Sequence, residues 1–332
     1  MQLHLVIPHA AWPDRDAEAE IVTGLALPAL SWLIGRGARE KHLPLDFHTW
    51  LAQRYGLPSL PVAPLTLALD APGEAPGYWL RADPVHLRAN RDQLTLSDAA
   101  PLAIQPAEAA ALAEALNGLL AEDGLRLIAP TPTRWYLHLP ADPGLDTTPL
   151  HAVVGRDIHP ALPRGPDALQ WHRLLNELQM LLYAHPVNDA RFEAGQPQIN
   201  SLWLWGGGDW PLPATPEAPS DTVYTADPLV AALTAAGKGR VEPPARPGEL
   251  AESGMLVLDQ LADPAGYGDA HAWREAWLAL ERDWFAPLTE RLRRGELEEV
   301  ALTFPELGLA VETGTGARWR FWRGDRLPWA GA

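Results

Sequence analysis

The sequence predicts an α/β fold that carries an inserted α+β unit. Three observations predict it. LHLVIP (3–8) is a short apolar run closed by a proline, as a buried first strand would be, and LPALSWLIGRGA (27–38) follows it with helical character. Residues 77–140 read as strand, strand, helix, strand, strand, an order that makes a self-contained α+β unit. Beyond residue 165, amphipathic segments alternate with short apolar runs, the pattern of a core sheet flanked by helices.

Taken in order, Pro28 suits the first turn of the 27–38 helix, and Gly35 or Gly37 its end. Segment 56–76 is rich in Pro and Gly and reads as loop, with one strand over APLTLALDA (63–71). GYWLRADPVHLRANRDQLTLSD (77–98) alternates apolar and polar residues around a turn at Ala89, Asn90, Arg91 and Asp92, which predicts a β-hairpin. Pro106-Ala107-Glu108 opens an amphipathic helix to about Glu122, closed by Asp123-Gly124, and LRLIAP (125–130) and TRWYLHLP (133–140) read as strands. ALQWHRLLNELQMLLYA (168–184) is a well-buried helix. INSLWLWGGG is a strand ending in a glycine loop, and a proline-rich connection follows it.

DPLVAALTAAG reads as a helix ending at Gly237, and GMLVLDQL (254–261) as a central strand. Residues 269–295 read as one long helix with Trp273, Trp277, Leu280 and Trp284 on one stripe. EEVALTF, LGLAVETG and ARWRFWR close the chain as short strands. This places a core in residues 1–76 and 166–332, with the insertion at 77–165.

Composition narrows the function. The 332 residues are 47% hydrophobic and 20% charged, as in an ordinary globular protein. A net charge of −16 argues against nucleic acid, whose phosphates would be repelled, and against anionic lipid surfaces. With no cysteine, disulfides, thiolate metal sites and cysteine nucleophiles are excluded. The first apolar run lacks a basic leader and LALPALSWLIG is broken by Pro28, so the expectation is a cytoplasmic protein with no membrane partner. The 34 prolines imply stiffened loops, and the 15 tryptophans either heavy core packing or an interaction surface.

Local motifs for catalysis are weak. Gly206-Gly207-Gly208 lacks both a helix opening from the glycines and the Lys-Ser/Thr of a phosphate loop, so close backbone approach is the plainer reading. Histidines are scattered, with no His-Glu-x-x-His. DPAGYGDAH (263–271) is the best acidic-plus-His cluster and follows a buried strand, although a helix capped by Asp269 accounts for it without a metal. Gly-x-Ser-x-Gly is absent. Arg81, Arg88 and Arg91 could form a basic strip for an anion or simply balance surface charge.

The stretch HPVNDARFEAGQPQINSLWLWGGG (185–208) resembles archaeal-type, cofactor-independent phosphoglycerate mutases of the alkaline-phosphatase superfamily. Their His-Pro-x-Asn turn, Arg, and Asn before an Ile-Trp-Leu-Trp-Gly strand match His185, Pro186, Asn188, Arg191, Asn200, Trp203, Trp205 and Gly206. LVIPHAAW with LPALSWLIGRG looks like the family's first strand and helix, and GRDIHPALPRG (155–165) like its exit from the inserted domain. GYWLRADPVHL looks like its Phe-Arg-x-Asn strand, with Arg81 on a substrate-contacting Arg and Asp83 in place of Asn. The wording of RADPVHLRANRDQL and NSLWLWGGG is similar to a bacterial branch of RpfE-type regulatory proteins. The resemblance implies an alkaline-phosphatase-like core sheet and a two-metal catalytic centre.

The ligands of that centre are largely missing. His9 stands where the family has its first metal-binding Asp, and no Ser or Thr lies in its nucleophile motif. Its Asp-x-x-x-His becomes Asp263 to Tyr267, and its final Asp-His pair has no counterpart. Two ions need on the order of six protein ligands, which one Asp does not supply. The expectation is a phosphoglycerate-mutase-like protein that acts in binding or regulation, with no cofactor and with a small anionic ligand or a protein as partner. Ligand candidates are Arg81, Asp83, His86 and Arg88, facing His185, Asn188, Arg191 and Asn200; alternatively these residues hold the insertion in place. The alternative function is a metal-dependent mutase or phosphatase with relocated ligands, using Mn or Zn on His9, Asp14 or Asp16, Asp263 and His271. A third reading makes the tryptophans an exposed interaction patch, which requires that they not be buried.

Overall fold

The structure is a computed structural model that describes residues 1–90, 93–244, 246–250 and 252–329. Arg91 and Asp92 of the expected hairpin turn lie outside the described residues. The chain forms two compact units, one of residues 1–60 with 215–332 and one of residues 61–214. In chain order the strands are β1 (Gln2–Val6), β2 (Ala38–Lys41), β3 (Gly77–Asn90), β4 (Gln93–Ser97), β5 (Arg126–Ile128) and β6 (Tyr136–Leu139). They continue with β7 (Ser201–Trp210), β8 (Thr222–Tyr224), β9 (Arg240–Glu242), β10 (Gly254–Val257), β11 (Glu299–Phe304) and β12 (Leu309–Gly314).

The first unit is an α/β layer around a seven-stranded sheet ordered β2-β12-β11-β1-β10-β8-β9. From β11 to β9 all neighbours run parallel, whereas β12 and β2 are antiparallel additions. Parallel strands covered on both faces need continuous apolar runs, and β1 and β10 supply them with Leu3, Leu5, Val6 and Met255 to Val257 buried. Trp273, Trp277, Leu280, Phe285, Leu288 and Leu292 pack on this sheet. They lie on the expected 269–295 helix, which is interrupted by one π turn at Glu281–Phe285 between helices Ala270–Leu280 and Ala286–Arg294. Pro287 explains the interruption, because its ring excludes the regular bond to the carbonyl four residues back. In the π turn, Glu281 reaches the N-terminus of helix Pro28–Arg36 and accepts from the amides of Ala29 (2.6 Å) and Leu30 (3.1 Å).

ARWRFWR is not a strand. Thr315–Trp319 forms a 3-10 turn. The strand that precedes it, β12, is already paired on both sides, by β11 and β2, and so offers it no open edge.

In the second unit β3 is the spine: β7 pairs with it along Gly77–Val85, β6 along Tyr78–Arg81 and β4 along His86–Asn90, as the hairpin reading expects. Helices Pro106–Leu120 and Ala168–Tyr183 bury Leu112, Leu116, Leu174 and Leu178 against Leu80, Ala82, Leu202 and Leu204. The other face receives helix Val62–Asp70, whose Ala63 and Leu67 pack with Trp79 and Tyr136. Residues 63–70 of the expected 63–71 strand are therefore helix; Leu65, Leu67 and Leu69 fit a two-residue period, but Val62 to Leu67 are buried without alternation. The expected insertion was 77–165. The compact unit is wider because this helix and β7 both pack on β3.

The three glycines sit inside β7, not in a loop after it. Gly206 has φ +64° beside a register shift between Trp79 and Arg81. A Cβ there would lie 2.8 Å from Val62 Cβ, and one on Gly208 would lie 2.6 Å from Pro61 Cβ. Close approach is thus what the glycines permit: Gly206 and Gly208 form the trough that seats the start of helix Val62–Asp70, while Gly207 lies against Tyr78 and Leu80.

Candidate functional site

Alternation along β3 puts Arg81 and Asp83 on one face, and both are buried. Asp83 Oδ1 accepts from Arg81 Nε (3.0 Å) and Nη2 (2.7 Å), while Oδ2 accepts from the indole N–H of Trp205 (2.7 Å). The guanidinium lies 5.4 Å from the ring centres of both Tyr136 and Trp205, and Nη1 points to Thr66 Oγ1 at 3.4 Å. Burial pushes the Asp83 carboxyl above the usual carboxylate range, against the pull of Arg81 and Trp205. Next to this pair, Asp70 takes Arg134 at 2.7 and 2.6 Å and the Tyr136 hydroxyl at 2.5 Å. Burial raises Asp70, but the bonds from Arg134 and Tyr136 outweigh it and hold the carboxyl below its ordinary value.

The remaining candidates mostly serve backbone. Asn188 donates to the carbonyls of Leu182 and Ile199 and accepts from Ile199 N–H, each at 2.8 Å. Arg191 pairs with Glu108 at 3.0 and 2.8 Å and donates to the carbonyls of Pro197 (2.8 Å) and Leu102. Asn200 acts as an extra rung of the sheet, accepting from Leu87 N–H (2.7 Å) and donating to Leu87 C=O (2.8 Å). His86 bonds the Gln198 carbonyl through Nδ1 (2.8 Å), and His185 caps helix Pro186–Glu193 by accepting from Val187 N–H (3.2 Å). Arg88 is exposed on β3. The structure therefore gathers Asn188, Arg191, Asn200 and His86 around segment 196–200, which they tie to its neighbours, and places Arg81 with Asp83 in a separate buried pair.

In the first unit, the carboxyl ends of the parallel strands lie along one edge, where α/β sites form. His9 follows β1 at φ +57°, a left-handed conformation a non-glycine rarely takes. Two indoles hold this turn: Trp273 Nε1 donates to the His9 carbonyl (3.1 Å), and Trp329 Nε1 to that of Ala10 (2.9 Å). The imidazole stands edge-on to Phe47 at 6.4 Å. After β10 comes Asp259, raised by burial and then by Asp227 and Asp263. After β11 comes Glu306, pushed up to about 7 by burial, with the His9 backbone amide opposing and Asp46 adding. Both carboxylate oxygens of Glu306 are buried, and among the described residues neither meets a partner at full hydrogen-bond geometry, the His9 amide included.

Asp227, Asp259 and Glu306 are members of this edge that the motif reading passed over. Their common signal is plain: each lies within three residues of the end of a strand. Of the alternative metal set, Asp14 caps helix Arg15–Ile21, Asp16 lies in its first turn, Asp263 opens the short helix Ala262–Gly266, and His271 is exposed. Among the described residues no group of three or more His, Asp or Glu is arranged to hold a metal ion.

Residues 73–188 match a family described as 2,3-bisphosphoglycerate-independent phosphoglycerate mutase. A probable mutase of that description from Geobacter sulfurreducens is 32% identical over 139 residues, covering 41% of this chain and 34% of that protein. A mutase from Methanosarcina mazei is 32% identical over 137 residues, 40% of this chain and 34% of that protein. The chain thus spans about a third of the length of the curated relatives it matches. The solved PH0037 protein from Pyrococcus horikoshii shares the fold, with a TM-score of 0.53 at 14% identity over 98% of this chain and 90% of that one. The family match falls within the 61–214 unit and carries Arg81, Asp83, His185 and Asn188.

Proposed function

We propose that this phosphoglycerate-mutase-like chain is a non-catalytic binding or regulatory protein, allied to the RpfE-type branch and working in the cytoplasm. The observation that carries it is the turn after β1. Where the resemblance expects a metal-holding Asp, His9 sits in a left-handed turn whose carbonyls are clamped by Trp273 and Trp329. The donors nearby do not fit a two-ion centre: the sequence offers Tyr267 in place of the second imidazole and no His after His271. Among the described residues no helix is long and apolar enough to cross a membrane.

Its partner is a small anionic ligand or a protein, and the internal engagement of Arg81 favours a role other than gripping a substrate with that side chain. A second reading, a mutase or phosphatase with relocated ligands, draws on the carboxylates of Asp227, Asp259 and Asp263, the first and last of which lie close enough to raise Asp259. Calorimetric titration of metal-stripped protein with Mn²⁺ and Zn²⁺, followed by an assay on 3-phosphoglycerate, separates the two. The binding reading expects neither specific uptake nor turnover. Uptake near two ions per chain, with Mn²⁺-dependent turnover lost in Asp263→Ala, would overturn it.

A further inference from the structure

Among the described residues, three exposed aromatic rings fall together in one short segment, whereas Tyr183, Phe192 and Tyr267 are exposed singly elsewhere. Trp319, Phe321 and Trp322 are 65%, 77% and 70% exposed, while Trp12, Trp32, Trp273, Trp277 and Trp284 of the same unit are buried. The backbone beneath these rings is fixed. Arg320 donates to the Arg36 carbonyl (3.0 Å) and Arg323 to that of Gly37 (2.8 Å), meeting the acceptors at the end of helix Pro28–Arg36. Arg326 N–H reaches the Ser31 carbonyl at 3.1 Å, and Ala317 is buried beneath the turn. Arg318 lies over the Trp319 ring at 5.1 Å, and Phe321 meets Trp322 edge-on at 5.4 Å.

We propose that residues 318–323 form a docking surface for an anionic lipid bilayer. Residues 318–326 carry four arginines and one aspartate, Asp325, a local net charge of +3 on a chain of −16. The charge therefore points to an anionic occupant. Arginine forks match lipid phosphates, and Trp and Phe rings settle at the headgroup level, so both halves of the segment fit one surface. Arg39 is exposed on the neighbouring β2, with Glu40 beside it and Glu312 on β12 as the opposing charges. A second copy fits less well, because a two-fold contact would set two positive segments against each other. The whole-chain charge led to the opposite expectation. That charge is screened beyond about 8 Å at physiological salt, which leaves contact to the local surface.

The test uses the full chain and sedimentation with vesicles of phosphatidylcholine, with and without phosphatidylserine. The expected result is co-sedimentation only when phosphatidylserine is present, weakened by salt and reduced about tenfold or more in W319S/F321S/W322S. Because these rings are exposed, the variant should keep the wild-type melting temperature. Absence of co-sedimentation with either vesicle, or retention of binding by the variant, overturns the proposal. Inorganic phosphate that abolishes sedimentation as well as an equal ionic strength of chloride fails to would point to a phosphate-ion site and overturn it too. So would self-association in lipid-free sedimentation velocity that the variant loses while wild type ignores vesicles; the segment would then be a protein interface.

Discussion

Asp83 Oδ1 accepts two bonds from the one guanidinium of Arg81, inside walls made by Tyr136 and Trp205. The pair sits two residues apart on β3, so the strand itself delivers the counter-ion. Arg81 is thereby neutralised from within the unit.

Removing one member of such a buried pair strands the other. Asp83→Ala is expected to cost about 3–5 kcal/mol, read from urea unfolding. Pairing it with Arg81→Leu should recover much of that loss, because no buried charge is then left alone. A double variant as unstable as the sum of the singles would show that the two residues act independently.

Gly206 and Gly195 both lie at positive φ, +64° and +68°, but only Gly206 faces a neighbour, Val62 Cβ at 2.8 Å from its would-be Cβ. Gly195→Ala is therefore expected to cost only the left-handed strain, about 1 kcal/mol, and Gly206→Ala about 1–3 kcal/mol more. Gly206→Val, β-branched at that φ, should cost more still. Melting temperatures rank the three; equal losses for the two alanine variants would contradict the packing argument.

The same trough explains where sequence reading succeeds and stops. β1, β10, the 77–98 hairpin and the helices at 106–120 and 168–183 carry their periodicity locally, so pattern alone finds them. Helix Val62–Asp70 does not, because what admits it is the glycine trough of β7, far along the chain. The candidate site divides likewise. Arg81 and Asp83 share a face by simple alternation, but the sequence reading takes both as ligand candidates, and their mutual pairing emerges only from the structure. Asn188 and Asn200 bind backbone groups of Leu182, Ile199 and Leu87, and no composition or spacing announces such partners. Glu306 became a site residue only through burial, which a lone Glu after VALTFP does not reveal.

Two groups of the first unit tie stability to pH in opposite directions. Burial pushes Glu306 from 4.5 up to about 7, so between those values the folded chain keeps a proton the unfolded chain has lost, and stability falls as pH rises. Burial, then Arg54, pushes His4 from 6.5 down to about 4, so in that window the unfolded chain holds the extra proton and stability rises with pH. Each contribution is about 3 kcal/mol over its full range. Where the windows overlap, from about pH 4.5 to about 6.5, the slopes oppose each other. Relative to wild type, Glu306→Gln should therefore gain stability as pH rises there, and at about pH 7.5 it should exceed wild type by about 3 kcal/mol. His4→Gln, which can keep the 2.8 Å bond to Thr303, should instead lose stability relative to wild type as pH rises. Unfolding in urea across that pH range decides the matter. Two single variants whose differences from wild type change with pH in the same direction would remove this account, since an acid raised by burial and an imidazole lowered by it contribute opposite slopes.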